Sequence, residues 1–329
     1  KKTSWFKLKM FNFNINKIVG LILSFLLILI FSFGTANADK SGVVKIPTHN
    51  WPSQLVGAEI IGELMKKVGE RVKYVPMDSQ KVYQSMADGD IDLVHEIWEI
   101  VFGVSYEAAK QNGNIEEILT YDAIGRYGWW YPKYVEKICP GLPNWEALNK
   151  CSSKFARDGS EGKGVFISGP ADWKKQDVER IEALKMNFIV KHTESAKEIW
   201  SELDIAVNQN KPIVIFAWIP NFIGAKHEGS FVNFPKYETE CNTDPSWGIN
   251  PNALYDCDHL ANGYLKLAVN KDFKKNHPKG YKLIKQINFS ISDFNKMGYY
   301  IDVENLEVPL AAEKWLLENK PKWSKWVNN

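Results

Sequence analysis

Ile91-Asp-Leu-Val-His-Glu-Ile-Trp98 is a run of strand-forming residues that ends in a tryptophan, and the same arrangement returns three more times. Trp51 follows Gly42-Val-Val-Lys-Ile46, Trp173 follows Gly164-Val-Phe-Ile167, and Trp218 closes Pro212-Ile-Val-Ile-Phe-Ala217. In open α/β sheets ligands lie outside the carboxyl ends of the strands, so these four indoles are candidates for one shared site.

Outward from this stretch the chain alternates strands and helices. Val43–Ile46 reads as a strand and 47–52 as a loop; Ser53 to Val68 then reads as a helix with Val56, Ile60, Ile61 and Leu64 on one apolar stripe. A strand at Val72–Val75 and a helix at Ser79–Ala87 lead into the focal strand, the pattern of a parallel sheet with covered faces. A helix is expected at Tyr106–Asn112, and Gly125–Pro132 reads as a crossing to a second lobe. There the pattern recurs: strand 164–167, helix 175–186, strand 188–190, helix 195–208, strand 213–218. Leu265–Val269 reads as a strand returning to the first lobe, and Val308–Val327 as a helix packed on it. The expected fold is α/β: two lobes, each a mostly parallel sheet flanked by helices, forming a clamshell that closes by hinge motion. The boundaries read as 39–128 and 258–329 for the first lobe and 129–257 for the second.

The 329 residues suffice for two such lobes, and 45% hydrophobic with 24% charged residues is ordinary for a globular protein. Residues 1–38 read differently. Five lysines precede an apolar run from Ile18 to Phe33, and Ala36-Asn-Ala38 supplies a small-x-small cleavage pattern, so a secretory signal peptide cut after Ala38 is expected; the other reading is an uncleaved membrane anchor. Losing five lysines and no acidic residue takes the formal charge from +2 to −3, a poor balance for binding nucleic acid. Export favours disulfides for the four cysteines. Of three possible pairings, Cys139–Cys151 and Cys241–Cys257 close short local loops and are the ones expected. A cysteine-held metal is the weaker reading, because there is no Cys-x-x-Cys and only His259 lies near either pair.

Most of the thirteen tryptophans must serve packing. Trp51, Trp98, Trp173 and Trp218 stand apart because two fall in each lobe, so closure brings them together. Indole faces attract cations, most strongly where water is excluded. A methylated ammonium or sulfonium has no N–H to donate, and its methyl groups favour a surface both apolar and electron-rich, which a box of indoles provides. Glu96, two residues before Trp98 on the same strand face, is either an acidic group serving that site or an ordinary charge at a strand end. Asp88-Gly-Asp-Ile-Asp92 imitates a calcium loop, but Leu93 stands where glycine is required. No H-E-x-x-H, G-x-S-x-G or phosphate loop is present, so neither catalysis nor a cofactor is expected.

Asn50-Trp-Pro52, Gly89 through Trp98, Gly169-Pro-Ala-Asp-Trp173 and Lys211 through Pro220 together resemble the periplasmic glycine betaine/proline betaine-binding proteins of ABC transporters, the OpuAC type. Tyr131-Pro-Lys-Tyr-Val135, Cys139-Pro-Gly-Leu-Pro143 and Trp247 to Cys257 are similar to the branch that includes trimethylamine N-oxide and related osmolyte binders. The resemblance covers residues 42–329 and implies a type II periplasmic-binding-protein fold, a monomer, and an inner-membrane permease with its ATPase as partners. It implies that the four tryptophans cage a methylated head, glycine betaine or proline betaine first, with trimethylamine N-oxide, dimethylsulfoniopropionate or choline as alternatives. It also implies that backbone N–H groups of Lys174 and Lys175 hold a ligand carboxylate. Some relatives use a histidine four residues after the second cage tryptophan; Phe102 stands there, leaving Arg126 as a candidate side-chain anchor or a solvated hinge residue. The alternatives from other classes are an exported enzyme acting on a methylated amine and a sugar-stacking site.

Overall fold

The computed structural model describes residues 42–328 apart from 174 and 262. The expected signal peptide lies outside the described residues. Strands β1 (Val43–Thr48) and β2 (Arg71–Pro76) pair in parallel, joined by helix α1 (Pro52–Lys67). Pro52 occupies the first turn of α1, where its fixed φ suits a helix and its missing N–H has no intrahelical partner to lose. The apolar stripe of α1, including Val56, Ile60, Ile61 and Leu64, is fully buried. Helix α2 (Val82–Ala87) leads to β3 (Leu93–Trp98), of which every residue is buried. Asp92 ties this segment to β1: its N–H donates to Lys45 O (3.0 Å) and its carboxylate accepts from Lys45 N–H (2.7 Å). Helix α3 (Glu99–Gln111) begins directly after Trp98, seven residues earlier than the sequence suggests.

Strand β4 (Ile115–Pro132), 18 residues long, organises the rest. From Ile115 to Gly125 it pairs antiparallel with β9 (Gly263–Asn270), and from Arg126 to Trp130 antiparallel with β7 (Val214–Ile219). β9 lies between β4 and β3; beyond β7 come β5 (Gly164–Ser168) and β6 (Phe188–His192), both parallel. The short β8 (Gly229–Phe231) pairs with the end of β4. What reads in the sequence as a crossing is therefore a strand shared by both halves of a continuous sheet.

Helices α4 (Asp177–Ala183) and α5 (Ala196–Asn208) connect the strands of the second half, α5 starting at a Ser195 side chain that accepts the Glu198 N–H. Helices α6 (Ile291–Asp302) and α7 (Val308–Glu318) pack on α1. The single C-terminal helix expected from the sequence is divided at Asn319, where α8 (Lys320–Asn328) follows. Trp315 and Trp326 then meet Phe289 edge-on, at 5.5 and 5.8 Å between ring centroids. Both cysteine pairs are local: Cys139–Cys151 and Cys241–Cys257 are bonded, with Cα atoms 5.8 and 6.3 Å apart.

Candidate functional site

The four strand-end tryptophans converge. Trp51 is the N-cap of α1 and Trp98 the N-cap of α3, so two helix starts present two indoles from the first half. The loop before Trp51 is fixed by Gln54, which accepts from His49 N–H (2.7 Å) and donates to Pro47 O (2.8 Å). The His49 ring stacks on the Trp51 indole with centroids 5.0 Å apart. Behind this pair lies Glu96. Its Oε1 accepts from Trp51 Nε1 (2.7 Å), Trp98 Nε1 (2.9 Å) and Ser53 Oγ (2.9 Å), so one carboxylate orients both rings. Burial pushes the Glu96 carboxyl up to about 7, against the pull of those three donors. On the far side of Trp98 stands Gly125: a Cβ there would come within 3.1 Å of the indole, so the bare backbone lets the ring lie against β4.

The second pair is fixed by ring packing. Trp173 sits in a 3₁₀ turn (Ala171–Trp173) after β5, against Gly169, where a Cβ would come 2.5 Å from the indole. Trp218 lies on β7 opposite Tyr127 of β4. Trp173 meets Trp218 edge-on at 5.4 Å, Phe216 is 5.7 Å from each, and Trp200 of α5 supports Trp218 at 5.2 Å. Asn50, beside Trp51, bridges to the second pair: Trp173 Nε1 donates to its Oδ1 (2.6 Å), while its Nδ2 donates to Asp172 (3.2 Å). Trp51 and Trp173 stand edge-on with centroids 6.5 Å apart.

Together the four indoles line a cleft of about 480 Å³, counting its open mouth, a size that suits a small molecule. Phe102, Tyr127 and Phe216 add rings, and Val101, Ser79 and Lys175 complete the lining. Tyr127 is backed by His259, 4.1 Å away, which faces the Arg180 guanidinium (3.0 Å). Burial first, then Arg180 and Lys175, holds the His259 imidazole well below its ordinary range and therefore neutral. Arg180 also donates to Cys257 O (2.8 Å), and Asp177 accepts from Trp129 Nε1 (2.9 Å) and Ser168 Oγ (3.0 Å). This network ties α4 to the segment that returns to the first half.

The other residues singled out in the sequence are placed differently. Glu96 does not line the cleft; it holds two indoles from behind. Arg126 points away from the lining, its guanidinium 4.5 Å from the Phe231 ring centroid, so its position gives no support to a role as carboxylate anchor. Lys174 lies outside the described residues. Lys175 does line the cleft, through its side chain. Phe216 and Tyr127 join the lining without being among the sequence candidates. Phe216 precedes Trp218 by two on one strand and so shares its face, a signal present in the sequence; Tyr127 became visible only with the β4–β7 register. Electron-rich ring faces that exclude water can hold a cation lacking N–H groups.

Residues 42–318 match the family profile of the substrate-binding domain of ABC-type glycine betaine transport systems, OpuAC. A trimethylamine N-oxide-binding protein of Pelagibacter ubique (strain HTCC1062) is 38% identical over 318 residues, 94% of this chain and 98% of that protein. Among solved structures, an ABC-transporter choline-binding protein in complex with choline has a TM-score of 0.68 at 15% identity, covering 88% of this chain and 93% of its own. Lactococcal OpuAC, closed on glycine betaine, has a TM-score of 0.62 at 17% identity, covering 87% of this chain and 99% of its own. The fold is thus that of type II periplasmic binding proteins, and the chain belongs to the substrate-binding domains of ABC-type glycine betaine transport systems.

Proposed function

We propose that this substrate-binding protein captures a small methylated onium osmolyte in the tryptophan cleft and delivers it to a membrane permease driven by an ATPase. The observation that carries the reading is the convergence of Trp51, Trp98, Trp173 and Trp218 on one cleft whose walls come from the two halves that share β4. At about 0.5–2 kcal/mol per ring, four rings contribute several of the roughly 8 kcal/mol that a micromolar complex requires; burial and contacts to the rest of the ligand supply the remainder. Trimethylamine N-oxide is the first candidate, on the strength of the 38% identical relative, ahead of the glycine betaine and proline betaine favoured by the motifs.

The protein acts in the periplasm as a monomer after its leader is removed, and it binds without chemistry. Indole faces suit retention of an onium head, and no step of turnover is assigned to the cleft. Its lobes are 39–128 with 258–329, and 129–257; the change of β4's partner between Gly125 and Arg126, three residues before the first of these boundaries, supports a division within that strand. Titration of the purified protein with trimethylamine N-oxide, glycine betaine, proline betaine, dimethylsulfoniopropionate and choline, followed by tryptophan fluorescence and by heat, tests the reading. A saturable response to at least one is expected. Silence towards all of them removes it.

A further inference from the structure

Among the described residues, Lys175 is the one cationic side chain in the lining of the cleft. The residue is 5% exposed, and its Nζ lies 4.6 Å from the Phe216 ring centroid and 5.2 Å from that of Trp173. That nitrogen has no hydrogen-bond partner among the described residues. The nearest acids are engaged elsewhere: Asp172 accepts from Asn50, and Asp177 accepts from Trp129 and Ser168. Burial lowers the ammonium to about 8 in spite of both carboxylates. A buried ammonium with three donors and no acceptor is a poor structural element and calls for an anion. The opposite wall carries the buried Glu96 carboxyl behind Trp51 and Trp98. The cleft is therefore polarised, with an acid behind one pair of indoles and a base beside the other.

Resting on the reading of the cleft as an onium site, we propose that Lys175 Nζ is its anion subsite. The ligand is then a zwitterion: its methylated head sits among the four indoles on the side nearer Trp51 and Trp98, and its anionic oxygen accepts from Lys175. A bare onium cation meets a like charge instead and is selected against. Lys175 is a specificity-determining residue, which the family's backbone-amide anchor does not supply.

The test is calorimetry on the wild-type protein, Lys175→Met and Lys175→Arg, each titrated with trimethylamine N-oxide, glycine betaine, choline and tetramethylammonium. Wild type is expected to bind its better zwitterion at least about tenfold tighter than tetramethylammonium. Lys175→Met should weaken the zwitterions by about 100-fold and leave tetramethylammonium unchanged or tighter, while Lys175→Arg keeps the wild-type preference. Equal weakening of all four ligands in Lys175→Met would show a merely structural lysine and overturn the proposal, as would unchanged zwitterion affinity. Should Lys175→Met fail to fold, the wild-type ranking decides: tetramethylammonium binding as tightly as the zwitterions overturns it. Failure of wild type to bind any of the four overturns the onium reading itself, a result distinct from binding without discrimination.

Discussion

The two walls of the cleft hold their tryptophans by different means. Trp51 and Trp98 are oriented by polar bonds to one buried carboxyl, whereas Trp173 and Trp218 are wedged among Phe216, Trp200 and a glycine backbone. A hydrogen bond fixes the rotation of a ring but exposes it to the titration of its acceptor. Ring packing is indifferent to pH but intolerant of added volume. The ring orientation of the first wall should therefore respond to the titration of Glu96, and that of the second to added volume.

The largest expected effect is on affinity at the first wall. Trp98→Ala should weaken every onium ligand by about 100-fold, because it removes a cage ring and one of Glu96's donors together. Trp218→Ala should cost less; an equal loss in both, measured by calorimetry, would erase the distinction. Next comes the pH dependence of stability. The folded Glu96 carboxyl, at about 7, sits above its ordinary 4.5, so its contribution to stability is full below 4.5 and lost as pH rises through 7. Relative to Glu96→Gln, which cannot ionise, wild type should lose up to about 3 kcal/mol between pH 4.5 and pH 8 in urea unfolding. A parallel pair of curves would contradict the buried-acid assignment. At the second wall, Gly169→Ala should displace the Trp173 indole and weaken binding by about tenfold with little pH dependence. The smallest effect is predicted for Arg126→Ala, whose guanidinium faces Phe231: glycine betaine affinity should stay within about twofold. A larger loss would bring that residue back to the ligand.

Much of the architecture was legible because its signals are local. Short β-branched runs and the apolar stripe of α1 each declare themselves over a few residues, although Pro52, read as loop, opens that helix. The first half of β4 did not, since Glu116, Glu117 and Asp122 give it a polar look and its strand character comes from pairing with a segment about 150 residues away. The four indoles could be picked out by their position after strands. Glu96 could be placed on the Trp98 face by period-two alternation, but its bond to Trp51 spans 45 residues and is a tertiary fact. The Lys175 side chain is illegible for a different reason: the resemblance points only to its backbone N–H, and only the rings packed around the ammonium show the residue to be buried.

The position of β9 bears on how the molecule comes to exist. It lies between β3 and β4 in space yet is made about 130 residues after them. Synthesis from the N-terminus thus delivers both neighbours long before the strand that joins them, so the first half cannot finish its sheet until residue 270 has emerged. A nascent chain truncated before that point would present two unpaired strand edges, which makes it a natural client for a chaperone that keeps polypeptides unfolded.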